Sequence, residues 1–209
     1  MSGEAVLTLA SQSPGRAAVL TQAGIRFRQI VSDVDEDAAT AAAGPVSPGE
    51  LALVLARAKA EAVAALPEAA GSLVLGCDSV FEVDGAPFGK PYTRERAAER
   101  LRAQSGRTGV LHSGLWVCDR RSPSSGVPDG GTTTSTGVTF APLSEDEIQA
   151  YVATEEPLHC AGSFTIDGRG AALVERLDGD PSAVVGISVQ VLRVLLRQRG
   201  VPLSDLWGP

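Results

Sequence analysis

The chain has 209 residues, 44% of them hydrophobic and 21% charged, the balance of a globular protein rather than a disordered one. A net charge of −7 excludes the broad basic surface that a nucleic-acid backbone requires. No apolar run approaches the ~18 residues of a membrane span, since the most apolar stretch, Ala183 to Leu196, is interrupted by Gln190 and Arg193.

Met1-Ser2-Gly3-Glu4 carries an acid where an export signal carries base. The three cysteines, Cys77, Cys118 and Cys160, form no Cys-x-x-Cys pair, so reduced thiols and a cytoplasmic location are expected. No linker or internal repeat divides residues 1–209, and a single domain is expected.

In chain order, Val6 to Ala10 reads as a buried strand and Pro14 to Ala23 as a helix closed by Gly24. Phe27 to Val31 reads as a second strand. The acidic run Asp33-Val34-Asp35-Glu36-Asp37 follows, then an Ala/Gly/Pro-rich stretch from Ala38 to Gly49 read as a loop. An amphipathic helix is expected from Pro48 to Leu66, with Leu51, Val54, Leu55, Ala58 and Ala62 on its inner face.

Ser72 to Val83 is the clearest strand, and its continuous apolar start implies burial on both faces. Asp84-Gly85 marks a tight turn. Thr93 caps a helix with Ala97, Ala98 and Leu101 inward, and two long strands flank an exposed excursion over 119–134. Ser144 and Glu147 form a capping box for a helix to Ala153. A strand over Ala171 to Arg176 and a helix over Ala183 to Arg199 complete the chain. Strands and helices alternate without a strict βαβ rhythm, so the expected fold is α/β, a mixed twisted sheet flanked by helices.

The turn after the first strand is chemically informative. Ser13 can cap the helix and Pro14 begin it, yet the first turn holds Arg16 and no acid. A helix N-terminus favours negative charge, so either an external anion such as phosphate, held by the helix end at Ser13 and by Arg16, completes the site, or the turn is a plain cap with a surface arginine. The acidic run is either a solvated loop or a set of ligands that offers Glu36 or Asp35 to a magnesium or manganese ion, which takes oxygen ligands. Asp78 lies inside an apolar strand, where a carboxylate needs a partner or a metal, and Gly76 before it permits close approach. Only two lysines, Lys59 and Lys90, occur among 18 basic residues, which points to a need for compact point charges there. Arg107 opens a strand, either as a further phosphate contact or as a surface residue. His112 faces either a site or a satisfied position in the sheet, and neither His159 nor any Gly-x-Ser-x-Gly elbow supports zinc or hydrolase-triad chemistry.

Leu9 to Arg16, Ser32 to Glu36, Asp78-Ser79-Val80, Gly89-Lys90-Pro91, Ser105-Gly106-Arg107, Ala161 to Phe164, Glu175 to Asp180 and Val185-Gly186-Ile187 together resemble the Maf family of nucleoside triphosphate pyrophosphatases. The resemblance implies a two-lobed fold with a central cleft, similar to inosine triphosphate pyrophosphatases. It further implies hydrolysis to nucleoside monophosphate and pyrophosphate with Mg²⁺ or Mn²⁺, and a homodimer. On the family pattern Asp78 is the proton acceptor, and Glu36 belongs with Asp78 at the metal. Ser11, Arg16, Lys59 and Lys90 are triphosphate contacts. Two positions depart from that pattern. Gly15 stands where many relatives have Arg, and Asp167 stands where members acting on dTTP and UTP have Gln. Asp167 is thereby expected to meet the base, and a 7-methyl-GTP-type substrate stays open. A nucleotide-sensing protein linked to division control is the non-catalytic alternative.

Overall fold

The computed structural model describes residues 6–121 and 127–208. Its elements are β1 (Val6–Leu9), α1 (Pro14–Gln22), β2 (Phe27–Gln29), α2 (Glu36–Ala43), α3 (Pro48–Ala64), β3 (Ser72–Val83), β4 (Ala86–Phe88), α4 (Arg94–Gln104), β5 (Thr108–Asp119), β6 (Gly130–Phe140), α5 (Glu145–Ala153), β7 (Val174–Asp178), α6 (Pro181–Val185) and α7 (Val189–Gln198). The seven strands form one mixed sheet in the order β2-β1-β3-β5-β6-β7, with β4 paired to β3 off that path. The expected α/β class, with helices flanking a mixed sheet, is the one observed. Among the described residues no helix is long and apolar enough to cross a membrane.

Sheet topology creates the site. β1 runs parallel to both β2 and β3, so the chain leaves β1 to one side and returns on the other, and a crevice opens beyond the carboxyl end of β1, beside the middle of β3. One edge of β3 pairs with β5 from Leu73 to Glu82. Its opposite edge pairs with β1 over Ser72 to Leu75 and with β4 over Phe81 to Val83. Residues 76 to 80 therefore have no strand neighbour on that edge among the described residues, and Asp78 sits at the centre of the gap.

Alternation along β3 sends successive side chains to opposite faces. Leu73, Leu75 and Cys77 join one core with α1 and α7, while Phe81 and Val83 join a second with α4 and α5. Ser79 falls between the two on the same face. The other face receives α3, and here the sequence reading needs correction. The buried side of α3 is Ala52, Leu55, Ala56, Lys59, Ala60 and Val63, whereas Leu51, Val54, Ala58 and Ala62 are only half-buried. Apolar bulk does not choose this face; close backbone approach does. A Cβ on Gly76 would lie 2.7 Å from the Ala60 nitrogen, and one on Gly114 would lie 2.7 Å from the Leu53 nitrogen. Small residues on the helix and glycines on the sheet meet there, and the approach that Gly76 permits is that of a helix backbone.

Three other expectations are corrected. The stretch expected as a loop from Ala38 begins inside α2, whose N-cap Asp35 accepts from the Ala38 N–H at 2.9 Å. Acids in its first turn and alanine's high helix propensity sustain it until Gly44. The strand expected at Ala171 starts at Val174, because the Glu156 carboxylate accepts from the Arg169 and Gly170 N–H groups and holds 169–173 in a 3₁₀ turn. The helix expected over 183–199 is two helices, broken at Gly186, where φ is +125°. Asp180 spans the break, accepting from the Ser182 and Ser188 hydroxyls at 2.6 and 2.5 Å.

The long hairpin is present, and β6 already begins at Gly130, so the excursion is shorter than expected. Residues 122–126 of it lie outside the described residues. Its base is held by the Arg121–Asp119 and Arg120–Asp129 ion pairs and by the buried Arg199, which donates to the Val117 and Pro128 carbonyls.

Candidate active site

The first turn of α1 is built as its residues dictate. Ser13 caps it and accepts from the Arg16 N–H, Pro14 opens it, and no acid occupies it. Arg16 turns back across the β3 edge, donating to the Ser11 hydroxyl at 3.1 Å and the Ser79 hydroxyl at 3.4 Å. The chain after α6 backs this guanidinium, for a Cβ on Gly186 would lie 3.0 Å from Arg16 Nε. Ser11 is buried and also accepts from the Ser13 N–H.

On the α3 side of the same edge, Lys59 projects from the helix and is 7% exposed, as is Asp78. Its ammonium donates to Asp78 Oδ1 and lies 2.7 Å from Glu36 Oε1. One buried cation thus gathers the carboxylates of α2 and β3. Buried charges of this kind persist only when paired. Burial alone would raise the Glu36 pKa, but the Lys59 hydrogen bond and the charges of Lys59, Lys90 and Arg16 hold it below the ordinary carboxylate value. Asp78 Oδ2 has no partner among the described residues.

The structure therefore brings Ser11, Ser13, Arg16, Glu36, Lys59 and Asp78 together from four elements and a turn. Lys90 stands exposed on the segment after β4 and reaches the cluster electrostatically, acting on Glu36 and on Cys160. That segment is tethered by Arg100, which donates to the Gly89 carbonyl, and by the Tyr92 N–H on the Leu158 carbonyl at 3.0 Å. Asp167 is exposed near the N-terminus of α1, with its Oδ2 at 3.8 Å from the place of a Cβ on Gly15. The two positions that depart from the family pattern thus face each other. Arg107 is not drawn in; its guanidinium engages Asp84 at the β3–β4 turn. His112 has both nitrogens satisfied at 2.9 Å, by Ser135 and Glu82. It occupies the satisfied position in the sheet.

Ser79 and Ser113 join the Arg16 side of the cluster without being among the expected site residues. Their hydroxyls lie 3.3 Å apart, and Ser113 donates to the Ala183 carbonyl at 2.6 Å. Ser79 was legible as the polar neighbour of Asp78 in an apolar strand. Ser113 was not, because only strand register places it opposite Ser79.

Among the described residues no group of three or more His, Cys, Asp and Glu side chains is arranged to hold a metal ion. Two convergent carboxylates, Glu36 and Asp78, do fit a hard cation that takes one or two protein carboxylates and completes its shell with water and phosphate oxygens. An ammonium already placed between them shows that the pair can neutralise a cation at that point.

An α/β sheet with a cationic helix N-terminus and a paired carboxylate set at its switch point has the chemistry to receive phosphate oxygens. The model of the Maf-like protein family matches residues 6–199. The chain belongs to the Maf family. It is 48% identical over 203 residues to a nucleoside triphosphate pyrophosphatase of Streptomyces coelicolor, covering 97% of this chain and 95% of the relative. It is 49% identical over 210 residues to one of Leifsonia xyli, covering 97% and 96%. Among solved structures, a HAM1 protein from Coxiella burnetii aligns with a TM-score of 0.41 at 18% identity, over 66% of this chain and 74% of that one.

Proposed function

We propose that the protein hydrolyses nucleoside triphosphates to nucleoside monophosphate and pyrophosphate. The observation that carries this reading is the convergence of Glu36 and Asp78 on Lys59, beside the Ser11–Arg16 helix entrance. The names of the relatives support it. The triphosphate lies along the α1 N-terminus, where free N–H groups and the Arg16 guanidinium receive its oxygens. Lys59 has three donors; two are engaged by carboxylates and the third is left for a phosphate oxygen. Lys90 closes the opposite side of the triphosphate.

Asp78 accepts the proton of the attacking water at Oδ2. Its environment favours that role, since Lys59 fixes Oδ1 and with it the carboxylate plane. Attack on the α-phosphorus expels pyrophosphate, whose charge the lysines and Arg16 stabilise as it develops. A magnesium or manganese ion on Glu36 and Asp78 supplies further neutralisation of the phosphate oxygens when bound.

Asp167 meets the base edge. Ionised, it is a pure acceptor and selects a base that donates there, as guanine or a 7-methylguanine does. Gly15 places no side chain against Asp167, whose Oδ2 a Cβ there would already touch at 3.8 Å. Removal of noncanonical or excess nucleotides in the cytoplasm, by a homodimer, is the physiological part of the proposal.

A panel of triphosphates incubated with Mg²⁺ or Mn²⁺ tests the reading. Equal amounts of monophosphate and pyrophosphate are expected from at least one of them. Orthophosphate would assign attack at the terminal phosphate instead, and bound but intact triphosphate would make the protein a sensor.

A further inference from the structure

We propose that a second cavity, formed by the end of α7 and the C-terminal turn, binds a small planar aromatic anion. The ring lies on Trp207, and the phosphate or carboxylate lies between Arg193 and Arg197. The cavity measures about 450 Å³ and is lined by these three residues together with Pro202, Leu203 and Ser204. That volume is within the range of small-ligand sites, about 300–1,000 Å³. No lining residue belongs to the active site described above.

Three observations specify the ligand. Arg193 and Arg197 are four residues apart on one helix and so share a face. Both are exposed, and neither side chain has an ion-pair or hydrogen-bond partner among the described residues. The lining contains no carboxylate, in a chain whose net charge is −7. Two forked guanidiniums with no counter-charge receive an oxyanion bidentately. Trp207 is 55% exposed and lines the cavity with the apolar Pro202 and Leu203, and an indole of this kind receives a planar ring.

The cavity is also preformed. Gly200, with φ +69°, ends α7, and Pro202 turns the chain back so that a 3₁₀ turn at 203–206 faces the helix. Buried Val201 and Leu206 anchor that turn. The Arg26 N–H donates to the Leu206 carbonyl at 2.7 Å, and the Gly208 N–H donates to the Gly24 carbonyl at 2.8 Å. A floor tied to the segment after α1 on both sides of Trp207 need not be ordered by the ligand.

Trp207 is one of two tryptophans, so the full chain carrying Trp116→Phe reports the cavity by fluorescence. GMP and 4-hydroxybenzoate, as the phosphate and carboxylate probes, are titrated beside guanosine and inorganic phosphate. Saturable quenching by at least one of the two aromatic anions is expected, with guanosine and phosphate weaker by about tenfold or more. Arg193→Ala with Arg197→Ala should weaken the quenching by a similar factor. The corresponding glutamine pair replaces it if circular dichroism shows a folding defect. The proposal is overturned by absence of saturable quenching, by equal response to inorganic phosphate, or by quenching that survives both arginine replacements. A fluorescence change that follows protein concentration without ligand would make the cavity a contact between copies and overturn it equally.

Discussion

Gly76 has no side chain at the point where the α3 backbone crosses it: a Cβ there would meet the Ala56 carbonyl oxygen and come within 2.8 Å of the Ala60 Cβ. Ala56 and Ala60 bracket Lys59, so this contact sets the depth at which the lysine meets Asp78 two residues along β3.

Gly76→Ala is expected to destabilise the fold by about 1–3 kcal/mol or more, since neither backbone can yield locally. It should also lower turnover by displacing Lys59. Urea midpoints and steady-state rates measure the two effects. An alanine protein with both unchanged would show that the helix seat is loose.

Lys59→Met leaves Asp78 and Glu36 facing each other with their shared counter-charge removed. Breaking a buried pair from one side costs about 3–5 kcal/mol. The loss should shrink when Asp78→Asn is added, because the neutral amide no longer needs the cation. A double-mutant cycle on urea midpoints reads the coupling, and additive losses would deny that the two residues act as a pair.

Asp78→Asn keeps the shape of the side chain but cannot accept a proton. Pyrophosphate release should fall by about 10²–10⁴-fold, with binding of the triphosphate kept. Turnover at the wild-type rate in a folded Asp78→Asn protein would remove Asp78 from the role of base.

Glu36 is held below its ordinary value of 4.5. A depressed carboxyl contributes stability that is present above the unfolded-state pKa and is lost as pH falls through the lower folded-state value. Wild type should therefore exceed Glu36→Gln in stability by a constant margin from neutral pH down to about 4.5, and the margin should close in more acidic solution. Denaturant melts at stepped pH values give the margin directly. A margin that widened on acidification would reverse the assigned sign.

Local rules determined much of this protein. The caps at Ser13, Thr93 and Ser144, the Asp84-Gly85 turn and the long strands around Asp78 follow from short-range geometry that residue types encode. α2 is not evident locally, because Pro and Gly lie just beyond Ala43 and the Asp35 carboxylate caps it only through the N–H three residues later. The break at Gly186 is not evident locally, because an apolar run has the same pattern whether one helix or two bury it.

The sequence by itself determined which residues carry charge at the site: Arg16 where an acid belongs, a buried Asp78, and Lys59 and Lys90 as the sole lysines. Each is a local anomaly that composition and pattern expose. Only the tertiary structure decided that Lys59 holds two carboxylates together, that Ser79 and Ser113 line the Arg16 side, and that Arg107 belongs to Asp84. Those pairings depend on strand register, on the switch of chain direction at β1 and on a helix seated against glycines. These are long-range relations, and local residue pattern does not encode them.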